Sequence, residues 1–506
     1  MSCLFRRRAH LQVESLEARH TPSAVVEAWP DNTFAQYQPL NNDTTYSVSG
    51  TIDALTDVDY YAFYARAGTG IRAQASAAVL TGNIHTEFDP TIGLFSPDGT
   101  LMTASDGGGF ASLGAARVTY TAAQTGVWRV AVSHHGDLTF DGTSPIRRSW
   151  NAADPGNSGP GLHTGAYSLA VVGGMKPQIS VVAPVDQKKF LIDGNSPRMP
   201  TLTAEVAGIA PAPDGSTQYN WQTIVGYRAD DYPAIAGIRG PGRTMVSPTY
   251  DPHLITGSTS FSPDFAVGGS EVLRGGRLLL TARARVGGMT LMASTPNTGA
   301  GRLQILGSNP DRSVLTDYIN AIAVPDLWPA DSPYSFQTIL RKMMAQESSV
   351  AQFDPTGVPT WSEDGRLGAG LLQLTDPAPT PLQVWDWRRN IDGAVAVLTD
   401  DLELAGDRLN FLVDRVQSQV PFGSVAAPIT GDMIVQEALR AFNALDNGTG
   451  EIDEYRSARD AAGKLRFLQQ PTGERTTIWE HMPIALRGTT IGDPNYVVHV
   501  LSQEDF

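Results

Sequence analysis

The chain has 506 residues, a formal net charge of −15, 41% apolar and 18% charged residues, and one cysteine, Cys3. That length holds about three or four domains of ordinary globular composition. The acidic balance leaves no basic patch to replace phosphate counterions and so argues against a nucleic-acid partner, while a single cysteine rules out an internal disulfide or a cysteine metal cluster.

The first stretch, residues 1–25, is a basic tag with Arg6-Arg7-Arg8, Leu11, Glu14-Ser15-Leu16-Glu17-Ala18-Arg19 and Thr21-Pro22-Ser23. By itself it reads as disordered or as a short charged helix that frays. It lacks the hydrophobic core of a signal peptide, and no run in the chain reaches transmembrane length, so these rules alone would read the chain as cytoplasmic. The tag resembles the Leu-Glu-x-Arg tag that opens large exported bacterial surface proteins. That resemblance implies export, to the periplasm, the cell surface or the medium.

Residues 26–174 read as a β-sandwich. Tyr46 to Ile52 and Asp57 to Tyr64 alternate, and Ser96-Pro97-Asp98-Gly99 supplies a turn with proline and Asp-Gly where turns want them. Val118 to Tyr120, Thr125 to Val132 and Gly165 to Val171 complete a set of short, evenly spaced strands. The Asp-x-Asp-Tyr-Tyr-x-Phe run, the segment Asp89 to Gly99 and the strand Gly126 to Val132 resemble the bacterial pre-peptidase C-terminal domain, a jelly-roll-like accessory module of secreted enzymes. Asp57, Asp59 and Asp106 are either structural calcium ligands, since calcium takes carboxylate oxygens on loops, or turn formers and solvated strand residues. No other cofactor is expected. His134 and His135 are expected as exposed loop histidines.

Residues 176–310 read as a second, immunoglobulin-like sandwich, with strands over Thr201–Val206, Tyr219–Val225, Phe261–Val267 and Arg277–Val286. Gly307-Ser308-Asn309-Pro310 breaks the pattern and reads as a linker. From residue 312 to 506 the period turns helical, over Val314–Ala323, Phe336–Gln352, Asn390–Leu404, Leu409–Gln417 and Met433–Leu445. The fold class is thus two all-β sandwiches followed by a mainly α domain. Trp479 and Tyr496, in the less regular last segment, are core aromatics or platforms for sugar rings.

Within the helical part, Phe336, Ile339, Leu340, Met343, Met344, Val350 and Ala351 form one apolar stripe, and Glu347 falls four residues after Met343 on the same side. Burial there disfavours the charged carboxylate and lets it hold a proton near neutral pH; the alternative is a helix-end glutamate bonded to a neighbouring group. A polar loop then leads to Gly368-Ala369-Gly370-Leu371-Leu372-Gln373. Ala345-Gln346-Glu347-Ser348-Ser349 and Gly370-Leu371-Leu372-Gln373 resemble the Gln-Glu-Ser and Gly-Leu-Met-Gln motifs of soluble lytic transglycosylases, in the lysozyme-like superfamily. Asn390-Ile391 resembles that family's helix-opening Asn-Ile pair, Ala441-Phe442-Asn443 its Ala-Tyr-Asn motif, and Tyr496 to Leu501 its closing Tyr-Val-x-x-Val-Leu segment. Leu372 replaces a methionine, Phe442 replaces a tyrosine hydroxyl expected near the acid, and the glycine after Asn443 comes late if Gly448 is its counterpart.

The resemblance implies cleavage of the β-1,4 bond between N-acetylmuramic acid and N-acetylglucosamine in peptidoglycan. Glu347 would be the single acid/base and the product 1,6-anhydromuramic. Ser348, Gln373 and Asn443 would contact the glycan, Phe442 would wall the site, and no metal would take part. Two alternatives stay open. One is a hydrolytic muramidase, which needs a second carboxylate from Asp354, Glu363, Asp364 or Asp392; the other is a degenerate domain that binds glycan at the cell surface.

Overall fold

The computed structural model describes residues 23–28, 31–40, 43–78, 88–106, 115–141, 164–209, 217–228, 244–245, 249–256, 258–267, 270–362, 368–375, 379–417, 429–444 and 496–506. The N-terminal tag up to residue 22, Glu363, Asp364, Gly448 and Trp479 lie outside them. The last residues assigned to the tag belong instead to the sandwich: Ser23–Val26 is a strand that pairs parallel with Thr45–Ile52.

The first sandwich consists of two five-stranded sheets. One runs in spatial order through Ser23–Val26, Thr45–Ile52, Gly165–Val172, Gly70–Ala77 and Ala115–Thr121; the other through Gln38–Pro39, Val58–Ala65, Gly126–Ser133, Thr91–Phe95 and Leu101–Ser105. Thr45–Ile52 alternates buried and exposed, as a strand with one wet face should. Val58–Ala65 does not, because every residue in it is buried. Its alternate side chains enter different cores. Tyr61, Phe63 and Ala65 fill the space between the two sheets, Val58 and Tyr60 join an aromatic cluster with Phe95 and Phe140, and Ala62 and Tyr64 reach into the core of the next domain.

The second sandwich faces a seven-stranded sheet, built on Gln218–Arg228 and Gly276–Val286, with a three-stranded one of Gln178–Ala183, Thr203–Ala207 and Ser260–Phe261. Trp221 of the large sheet lies nearly flat on Phe261 of the small one, with centroids 5.2 Å apart and ring planes 16° apart. The segment expected as a linker is tied down. Gly307 ends a strand and leaves room only for the Phe353 ring, Ser308 Oγ donates to Ile192 O at 3.0 Å, and Asn309 exchanges two hydrogen bonds with the Phe353 backbone.

The helices are α1 (Arg312–Ala321), α2 (Phe336–Ser348), α3 (Pro381–Trp385), α4 (Trp387–Gln417), α5 (Gly431–Ala444) and α6 (Tyr496–Ser502). The two helical stretches expected on either side of residue 405 are one continuous helix, α4. Their shared core holds Leu315, Met343, Met344, Leu371, Leu372, Trp387, Ile391, Leu439 and Tyr496. No helix among the described residues is long and apolar enough to cross a membrane, which leaves β-barrel spans untouched.

Candidate functional site

Helix α2 starts at Ser335, whose hydroxyl accepts the Thr338 N–H at 3.1 Å. It buries Phe336, Ile339, Leu340, Met343 and Met344, and Glu347, half-buried, follows on the same stripe. The helix ends four residues before the expected Gln352. Ser349 and Val350 adopt left-handed φ values of 54° and 64°, and the Val350 N–H closes back on Met344 O at 3.1 Å. Val350 and Ala351 therefore leave the stripe. Ser348 is the reason for the early exit: its hydroxyl donates to Leu371 O at 2.8 Å and accepts the Ala351 N–H at 3.1 Å. The chain turns out of the helix to meet the glycine-rich loop.

Two fully buried amides hold that loop. Gln352 Oε1 accepts the Leu371 N–H at 3.0 Å while its Nε2 donates to Val384 O at 2.8 Å. Asn390 Oδ1 accepts the Leu372 N–H at 3.0 Å while its Nδ2 donates to Ala369 O at 2.8 Å. Gly370 sits between them at φ +78°, with no space for a side chain. Gln373 adopts φ +44° and gives its Nε2 to Gly370 O at 2.7 Å. Its donor end is thus spent inside its own loop, and its Oε1 is buried with no hydrogen-bond partner among the described residues.

The phenol that meets the acid comes from an unexpected helix. Tyr496, buried at the start of α6, donates its hydroxyl to Glu347 Oε1 at 2.5 Å. Lys342 Nζ donates to Leu501 O at 3.1 Å and to Gln503 O, and Gln503 Nε2 donates to Gln346 Oε1 at 2.7 Å, so α6 is laced along α2. Helix α6 also packs on α5, which carries Phe442 and Asn443. Both are half-buried, and Phe442 leans on the core that supports α2. Ser348 thus bonds directly to the Gln373 loop, Glu347 precedes it in the chain and bonds to Tyr496 instead, and Phe442, with Asn443 next to it, reaches the same helical core on α5. Of the carboxylates weighed as a second catalytic group, Asp354 caps its own turn by accepting from Thr356 N, Thr356 Oγ1 and Val358 N. Asp392 is taken by Tyr318 Oη at 2.6 Å and by Arg389.

A second cluster lies in the first sandwich. Glu27, Asp31 and Asp59 place one carboxylate oxygen each within 4.8 Å of one another. Asp31 and Asp59 are fully buried, and both oxygens of Asp31 and Oδ1 of Asp59 have no hydrogen-bond partner among the described residues. The other Asp59 oxygen accepts from Tyr167 at 2.5 Å. Burial, then the neighbouring carboxylates, pushes Asp31 up to about 7 and Asp59 up to about 9, and burial also raises Glu27 and Asp57. Converging hard oxygens, three of them in Asp31 and Asp59 without a donor among the described residues, fit a cation of the calcium type, which would neutralise the group. The expected set needs correcting: Asp59 and its neighbour Asp57 are here as buried groups, Glu27 and Asp31 join them, and Asp106 lies beside His135 instead. His134 is buried, not exposed, and His135 is paired with Asp89 at 2.9 Å, which raises it.

This cluster carries a pH prediction. Raised carboxylates bind more protons folded than unfolded, so their support is complete below about pH 4 and is lost as pH climbs through about 7 and then about 9. In chelator, the midpoint of thermal unfolding should fall from pH 5 to pH 9. Millimolar calcium should reverse that slope, and Asp59→Asn should remove most of the calcium response. A midpoint that ignores calcium at pH 8 would show that the carboxylates do not form a cation site.

Residues 57–134, within the first β-sandwich, match the family model of the bacterial pre-peptidase C-terminal domain. Among solved structures, that domain of a Bacillus anthracis collagenase is 13% identical, covers 29% of this chain and 99% of its own, with a TM-score of 0.17. A periplasmic inhibitor of g-type lysozyme from Aeromonas hydrophila is 11% identical, covering 30% and 98% with a TM-score of 0.16. CorA, a surface-associated copper-binding protein of Methylomicrobium album, is 10% identical, covering 27% and 97% with a TM-score of 0.15. No curated protein matches the chain.

Proposed function

We propose that the helical domain is lysozyme-like and cleaves peptidoglycan between N-acetylmuramic acid and N-acetylglucosamine, in a protein exported to the periplasm or cell surface. The observation that supports this most is the bond from Tyr496 Oη to Glu347 Oε1, 2.5 Å long, at the end of a helix whose next residue holds the Gly370–Gln373 loop. A phenol donating to Oε1 orients the carboxyl group, and in this reading the transferable proton sits on Oε2. Glu347 gives that proton to the bridging oxygen as the C1–O bond breaks. The resulting carboxylate takes the proton of the muramic C6 hydroxyl, and O6 closes on C1. The acid is restored, the product is a 1,6-anhydro ring, and no water is consumed.

Phe442 lacks a hydroxyl, yet the acid has one from Tyr496, which favours a working site over a purely glycan-binding one. The engagement of Asp354 and Asp392 elsewhere favours one acid over a hydrolytic pair. Digestion of purified peptidoglycan by the full chain should release fragments one water lighter than those of a muramidase, read by mass spectrometry. Fragments of hydrolytic mass would replace this mechanism with the muramidase one, and no fragments at all would leave a glycan-binding protein.

A further inference from the structure

The loop that carries Gln373 is built against the second β-sandwich as much as against the helices. Tyr227, buried near the end of the long strand Gln218–Arg228, touches both arms of the loop's support. Its ring stacks on Trp361, with planes 3° apart and centroids 6.2 Å apart, and its hydroxyl accepts the Trp361 indole N–H at 2.8 Å. Its edge meets Trp385 at 5.4 Å and 86°. From Trp361 the backbone bridges to Ala369, and from its neighbour Thr360 the carbonyl accepts the Gly370 N–H at 2.9 Å. On the other arm, Trp385 occupies the space over Gly275 of the sandwich and packs on Phe353. Its neighbour Val384 offers the carbonyl that holds Gln352, which in turn holds Leu371. Trp387 Nε1 donates to Gly194 O at 2.6 Å and adds a third tie. Both routes from Tyr227 to Gln373 pass only through groups that are stacked or hydrogen-bonded.

We infer that the second β-sandwich is a working half of the glycan-cleaving unit, in which Tyr227 is a positioning residue that sets the Gly370–Gln373 loop through Trp361 and Trp385. The inference rests on the cleavage reading above and adds to it a specificity element outside the helical domain. The loop presents substrate contacts, not the acid, so loosening it weakens glycan binding and leaves the chemical step nearly intact.

The test uses the full chain. Tyr227→Phe removes only the hydroxyl that Trp361 donates to, and Trp361→Phe removes the indole N–H. Losing one such bond corresponds to a rise in KM for glycan strands of about 3- to 10-fold, with kcat within about two-fold. Amide exchange over residues 368–374 should accelerate by a similar factor while that of α2 stays put. Val206→Ala, a core truncation in the three-stranded sheet, should lower thermal stability without moving KM or the loop's exchange. Unchanged KM and exchange in both aromatic variants, with Glu347→Gln inactive, would overturn the inference and leave the cleavage reading standing. An equal KM shift in Val206→Ala would overturn it as well, by tracing the effect to stability. A wild-type chain that releases no glycan fragment would remove the cleavage reading, and this inference with it.

Discussion

Glu347→Gln should reduce release of anhydromuropeptides by about 10²- to 10⁴-fold, the range that a positioned proton donor contributes. The variant keeps the side-chain shape and still offers Tyr496 Oη an acceptor oxygen, so the bond that ties α6 to α2 persists. The change deletes the transferable proton, with an amide NH2 in place of one carboxyl oxygen. Helical circular dichroism and the thermal midpoint should match the wild type, and glycan pelleting should be preserved, which separates loss of chemistry from loss of fold. A variant retaining a tenth or more of the activity would remove Glu347 from the mechanism. It would also direct attention to carboxylates outside the described residues, Glu363 and Asp364.

The second large effect is expected at a residue with no reactive group. An alanine at Gly370 would put its Cβ 2.5 Å from Gln352 Oε1 and 2.6 Å from Asn390 Nδ2, in a left-handed conformation. The backbone conformation costs roughly 1–2 kcal/mol for a non-glycine residue. Displacing one buried amide from its backbone partner adds about 1–3 kcal/mol. Gly370→Ala should therefore destabilise the helical region by about 2–5 kcal/mol and abolish cleavage with Glu347 intact. Urea unfolding followed by tryptophan fluorescence checks the first, and product release the second. A neutral substitution would mean that the amide pair does not hold the loop.

Periodicity reached the elements whose burial is one-sided. The stripe through Ile339, Met343 and Met344 marked α2 and put Glu347 on its inner side, because a helix packed on one core repeats with its own turn. The same logic missed the end of α2, which is set by Ser348 reaching for Leu371, a partner 23 residues away that no local pattern announces. It also missed the role of Tyr496. The motif spacing picked out the residue, but a phenol in a short helix reads equally as core, and only the packing of α6 on α2 turns its hydroxyl toward Glu347. In the first sandwich, Asp57 and Asp59 were visible as a pair. Glu27 and Asp31 were not, since they precede the strand and reach the cluster only because the chain doubles back beside Thr51, whose N–H bonds to Glu27 at 2.5 Å. The unbroken burial of Val58–Ala65 has the same origin: a strand that is buried on both faces, among three clusters, loses the alternation that would identify its faces.

The joint at Gly307, Ser308 and Asn309 bears on how such a chain can be recombined in evolution. A gene exchange that imported a foreign helical segment after residue 310 would have to bring a ring matching the space at Gly307, another matching Gly275, and a backbone meeting Asn309 at both its N–H and its carbonyl. The two parts should therefore be inherited as a pair, and their ancestry should follow one tree.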